Sequence, residues 1–99
     1  MRIIERRSFQ RTLEAQQRFL ADEGDIEVIL RLRDDLAELR SMLRSLPDAG
    51  RELVRTDGVS LRKLKLRRCP FIIWYARERD RMLLTRIYHA RQNSGLRSD

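Results

Sequence analysis

The chain contains one cysteine, Cys69, and one histidine, His89. A lone cysteine can form no disulfide within the chain, and neither residue has neighbours at metal-ligand spacing, so no metal or cofactor is expected. A reducing cytoplasm is the expected compartment, with Cys69 serving as a small buried hydrophobe. Long apolar runs are also missing. The longest, FIIWYA at 71–76, is far too short to span a membrane, and the N-terminal MRIIERRSF carries charge where a secretion signal needs apolar residues. Acidic residues are scarce in one half only. Residues 1–50 hold nine Lys or Arg against ten Asp or Glu, whereas residues 51–99 hold thirteen against five. The net charge of +7 therefore belongs to the second half, which predicts a cationic face there and a polyanionic or acidic partner for it.

What is present is a chain of 99 residues, 41% hydrophobic and 37% charged, with its apolar residues periodically placed. That length predicts a single domain, taken as residues 1–92 with a mobile tail at 93–99. Ile3 and Ile4 mark a short strand over Arg2 to Glu5. Ser8 is a candidate N-cap for a helix running to about Glu23, stopped by Gly24 at the left-handed C′ position. Asp25 then opens a second helix, in which Ile29, Leu32, Leu36, Leu39, Leu43 and Leu46 step by 3, 4, 3, 4 and 3. This stripe is about 26 Å long at the helical rise, and Pro47 ends it. Val28, Leu30 and Met42 broaden it, favouring packing on a neighbouring helix and sheet over an intermolecular coiled coil.

Pro47, Gly50 and Gly58 mark residues 47–59 as a loop. After it SLRKLKLRR alternates, with Arg62, Leu64 and Leu66 on one side and Leu61, Lys63, Lys65 and Arg67 on the other, as in a strand with one cationic face. Pro70 leads into an apolar, β-branched and aromatic strand, residues 77–81 turn the chain, and Met82 to His89 returns. The expected fold class is α+β. A short N-terminal strand and an antiparallel helical hairpin pack on a mainly antiparallel sheet completed by three C-terminal strands.

This element order, together with LRKLKLRRCPFIIWYARERDRMLLTRIYHAR from residue 61 onward, resembles the RelE/ParE toxins of type II toxin–antitoxin systems. The shared features are a basic strand, an apolar strand ending in tyrosine, a charged turn, and a last strand closing on R-x-x-H-x-R, here Arg86, His89 and Arg91. The resemblance implies a toxin neutralised by a cognate antitoxin protein in a hetero-oligomer. The antitoxin would lie in the groove between helices and sheet, touching Ile29, Leu36, Lys63, Lys65 and Arg67. ParE-like members inhibit DNA gyrase without being enzymes; RelE-like members cleave mRNA on the ribosome.

Cleaving RNA through its 2′-hydroxyl needs a proton acceptor, a cation for the charge on phosphorus and an acid for the leaving oxygen. His89 is the side chain whose ordinary pKa suits proton transfer, with Arg86 beside it as the candidate catalytic pair if the chain is a nuclease. Arg62, Lys63, Lys65, Arg67, Arg86 and Arg91 are the candidate target or nucleic-acid contacts. Other parts of the nuclease pattern are out of place. Glu52 is the one loosely positioned carboxylate, Ala90 follows His89 where one nuclease type has tyrosine, and Tyr88 precedes His89 on what alternation makes the opposite face. The closer match is to the ParE-like gyrase inhibitors. A third alternative is a non-toxic basic adaptor that binds nucleic acid.

Overall fold

The computed structural model describes residues 1–91; the tail expected at 93–99 lies outside the described residues. The elements are β1 (Arg2–Glu5), α1 (Arg7–Asp22), α2 (Ile26–Ser45), β2 (Arg51–Thr56), β3 (Val59–Lys65), β4 (Phe71–Arg77) and β5 (Arg81–His89). The strands form one mixed sheet in the order β1-β5-β4-β3-β2, with β1 parallel to β5 and every other neighbour antiparallel. Both helices lie on one side of it. The α+β class and the helical hairpin are as the sequence predicts, with one strand more than expected.

Ser8 does not cap α1. The N-cap is Arg6, whose backbone N–H donates to the Leu84 carbonyl, and Ser8 sits within the first turn with its hydroxyl donating to the Thr85 carbonyl at 2.7 Å. Thr12 Oγ1 accepts the Ile87 N–H at 3.1 Å, so polar stitches tie α1 to β5 while Phe9 is fully buried below them. At the other end Gly24 has φ +76°. Its N–H donates to Ala21 and that of Asp25 to Leu20, the paired bonds of a Schellman stop.

The leucine stripe of α2 is largely used inside the chain. Leu32, Leu36, Leu39 and Leu43 are buried, Ile29 is half-buried, and Leu46 is left exposed at the C-cap. Against them pack Phe71, Ile73 and Tyr75 of β4 and Met82, Leu84 and Ile87 of β5, completing the core with Phe9, Leu20, Leu66 and Cys69. Each fully buried side chain of this kind contributes roughly 1.5–3 kcal/mol.

The segment expected as a loop at 47–59 instead contains β2. Asp57 and Gly58 both have positive φ, 49° and 78°, the conformation of a two-residue hairpin turn whose twist matches its strands. Only residues 47–50 remain irregular, and they are fastened down. The Tyr75 hydroxyl donates to the Pro47 carbonyl and accepts the Gly50 N–H at 2.8 Å. A Cβ on Gly50 would sit 2.8 Å from both the Lys63 carbonyl and the Tyr75 ring, so a side chain there would force one of them to move.

Candidate interaction face

Alternation leaves the second side of the sheet without a helix, and the strand register fixes what lines up on it. One row runs Val54, Leu61, Ala76, Leu83 and Ile4 across all five strands. The next runs Arg51, Lys63, Trp74 and Arg86, and a third holds Lys65, Ile72 and Tyr88. Paired residues share a face, so the cations of β2, β3 and β5 bracket the aromatic residues of β4 and β5. The face is therefore apolar near one end of the strands and cationic with aromatic inserts toward the other.

Trp74 is the centre of the cationic part. The Arg86 guanidinium lies 5.9 Å from its ring centroid, and Tyr88 meets it edge-on at 6.1 Å. Its Nε1–H donates to the Tyr88 hydroxyl at 2.7 Å. These neighbours bury Trp74 to 8% exposure although no helix covers it. A bulge between Trp74 and Tyr75 shifts the register, opposing Trp74 to Arg86 and Tyr75 to Leu84.

The arginines and lysines of this half divide by face. Arg62, on the helix side, is a buried clamp: Nε donates to Ser60 Oγ at 3.0 Å, Nη1 to the Asp48 and Gly50 carbonyls at 3.1 and 2.6 Å, and Asp48 and Glu52 carboxylates lie nearby. Its charge is spent holding residues 48–52, so it is withdrawn from the expected set of surface contacts. Lys63, Lys65 and Arg67, on the other side of the same stretch, form no ion pair with any carboxylate among the described residues. Arg91 is exposed just beyond β5. Of the two α2 residues expected to touch a partner, Leu36 is closed inside the core and only Ile29 reaches the surface.

His89 and Arg86 do not converge. Three residues apart with no bulge between them, they fall on opposite faces: Arg86 pairs with Trp74, whereas His89 pairs with the fully buried Phe71 and meets its ring edge-on at 5.3 Å. The imidazole Nδ1 accepts the Arg91 N–H at 3.0 Å, and the ring lines a cavity of about 400 Å³ with Ala15, Gln16, Phe19 and Leu20 of α1. Glu52 is no nearer to a role. It lies on β2, three strand spacings from β5 or roughly 14 Å. The Ser60 hydrogen bond, with Arg55 and Arg62 assisting, outweighs burial and lowers its pKa, making it a poor proton acceptor.

A buried polar knot escaped the sequence reading. Asp35 of α2, 3% exposed, accepts the Arg68 N–H at 2.8 Å, Arg68 Nη1 at 3.1 Å and the Cys69 thiol at 3.2 Å, and Glu38 takes the rest of the Arg68 guanidinium. Burial, reinforced by Asp35, pushes the Cys69 thiol up to about 12, so it stays a protonated donor. The place of Asp35 on the leucine-bearing helix, one position before Leu36, was the available signal.

No family model matches the chain, and neither a curated protein nor a solved structure is found to match it. Among the described residues no helix is long and apolar enough to cross a membrane.

Proposed function

We propose that this chain is the toxin of a type II toxin–antitoxin pair of the RelE/ParE kind, inhibiting DNA gyrase by binding it and neutralised by a cognate antitoxin. One observation carries this reading. The helix-free face gathers Arg51, Lys63, Lys65 and Arg86 around Trp74 and Tyr88, while His89 is turned to the other side of the sheet. Such a face can steer and hold an acidic protein surface without making or breaking a bond. The test is induced expression with translation and DNA supercoiling measured in parallel. Lost supercoiling and a DNA-damage response with translation continuing at first support it, an immediate stop in translation with mRNA cut at ribosomes replaces it with a nuclease, and harmless expression favours the adaptor reading.

A ribosome-dependent endoribonuclease is the second reading, and Tyr88 is the observation that favours it. Its phenol shares the cationic face with Lys63, Lys65 and Arg86, a set able to clamp a phosphate and pass a proton without His89. Under this reading Tyr88→Phe abolishes mRNA cleavage and His89→Ala does not.

A further inference from the structure

We infer that the cavity between α1 and the end of β5 binds a small planar aromatic carboxylate, its rings against Phe19 and Phe71 and its anionic group on Arg91. The site lies on the helix side of the sheet, away from the cationic face, and does not depend on the toxin reading.

The walls follow from local geometry. Ala15 with Phe19 and Gln16 with Leu20 are i,i+4 pairs, so the four stand together on one face of α1. Opposite them Phe71 and His89 are partners across β4 and β5, their rings edge-on at 5.3 Å. Phe71 and Leu20 are buried, whereas Phe19 on the same cavity is 59% exposed, so the apolar lining runs from the core out to the surface. An exposed phenyl ring continuous with a buried one is a surface that an apolar ligand covers. The volume is about 400 Å³. Small-molecule sites occupy roughly 300–1,000 Å³, and about 150 Å³ holds one benzene ring, so one or two fused rings fit.

The polar groups select the charge. Gln16, His89 and Arg91 line the cavity, and among the described residues no carboxylate does. The Ala90 N–H donates to the Pro70 carbonyl at 2.8 Å and the Arg91 N–H to His89 Nδ1 at 3.0 Å, which holds the backbone that carries the guanidinium. With Nδ1 accepting, the neutral imidazole carries its proton on Nε2, so all three side chains bear N–H donors. Arg91 forms no ion pair among the described residues. One permanent cation suits a monoanion, and its planar fork matches the two oxygens of a carboxylate. A phosphate ester, with close to two charges, would find no second permanent cation here. Two phenyl rings favour a flat aromatic body over an alkyl chain, because ring edges and faces attract beyond the area they bury.

The test titrates 2-naphthoate, 2-naphthamide and octanoate into the full chain, with affinity read by calorimetry and the site by backbone and methyl NMR shifts. 2-Naphthoate should bind with shifts centred on Leu20, Phe71 and His89, and the uncharged amide and the alkyl acid should each be roughly tenfold weaker or more. Arg91→Ala should weaken 2-naphthoate by a similar factor, and Arg91→Lys should restore part of the loss. Ala15→Trp, at an exposed helix position, should block the cavity while circular dichroism reports an unchanged fold. The inference is overturned by no binding of 2-naphthoate, by an amide or octanoate that binds as tightly, by shifts centred elsewhere, or by full affinity in the folded Arg91→Ala and Ala15→Trp variants.

Discussion

Alternate residues of the same strands build two unlike surfaces. Toward the helices the sheet presents Phe71, Ile73, Tyr75, Leu84 and Ile87, all fully buried, and the charged groups on that side are tied to partners. Away from them it presents a tryptophan beside Arg86 and Lys63, and Lys63 and Lys65 form no ion pair among the described residues. Arg62 and Lys63 are adjacent in sequence, yet one is a buried clamp on four oxygen-bearing residues and the other a half-buried charge with no ion pair among the described residues. A charge placed in a core must be matched locally, whereas a charge on a bare face remains available to something outside the chain.

Substitutions on the two faces should separate sharply in stability. Phe71→Ala on the covered face is expected to cost about 3–5 kcal/mol by denaturant titration. Arg62→Ala should cost about 3 kcal/mol, because it strands the Asp48 and Gly50 carbonyls and leaves Glu52 without its buried partner. Tyr75→Phe, which removes the acceptor of the Gly50 N–H, should cost about 1–3 kcal/mol.

Alkali probes the covered face through Cys69. Its folded pKa is raised above the unfolded value near 8.5, so its contribution is complete below that pH and is lost as pH rises toward about 12. By pH 10 the loss should be about 2 kcal/mol, read as a fall in the urea midpoint that is smaller in Cys69→Ala. On the bare face Lys63→Ala should change stability by no more than about 0.5 kcal/mol. A large loss there would erase the distinction between the faces.

Much of this division is legible in the sequence. The alternation of LRKLKLRR separates Arg62, Leu64 and Leu66 from Lys63 and Lys65, and the spacing of three from Arg86 to His89 already implies opposite faces. β2 was obscured because RELVRT is short and polar and two glycines flank it, although Asp57-Gly58 before Val59 is a hairpin signal. The role of Ser8 depended on where β5 would lie, and tertiary contact overrode the local capping rule. Nor could sequence show that Arg62 is buried, since its partners Asp48, Gly50 and Ser60 come together only when the loop folds over Tyr75.

The central claim is that the bare cationic face acts by binding and that His89 takes no part. Purified chain should be added to a DNA gyrase supercoiling reaction in three forms, all checked for folding: unaltered, Lys63→Glu/Arg86→Glu, and His89→Ala. The account predicts inhibition by the unaltered chain and by His89→Ala, with the charge-reversed pair at least tenfold weaker. Inhibition that survives charge reversal but disappears with His89, or no inhibition by the unaltered chain, would contradict it.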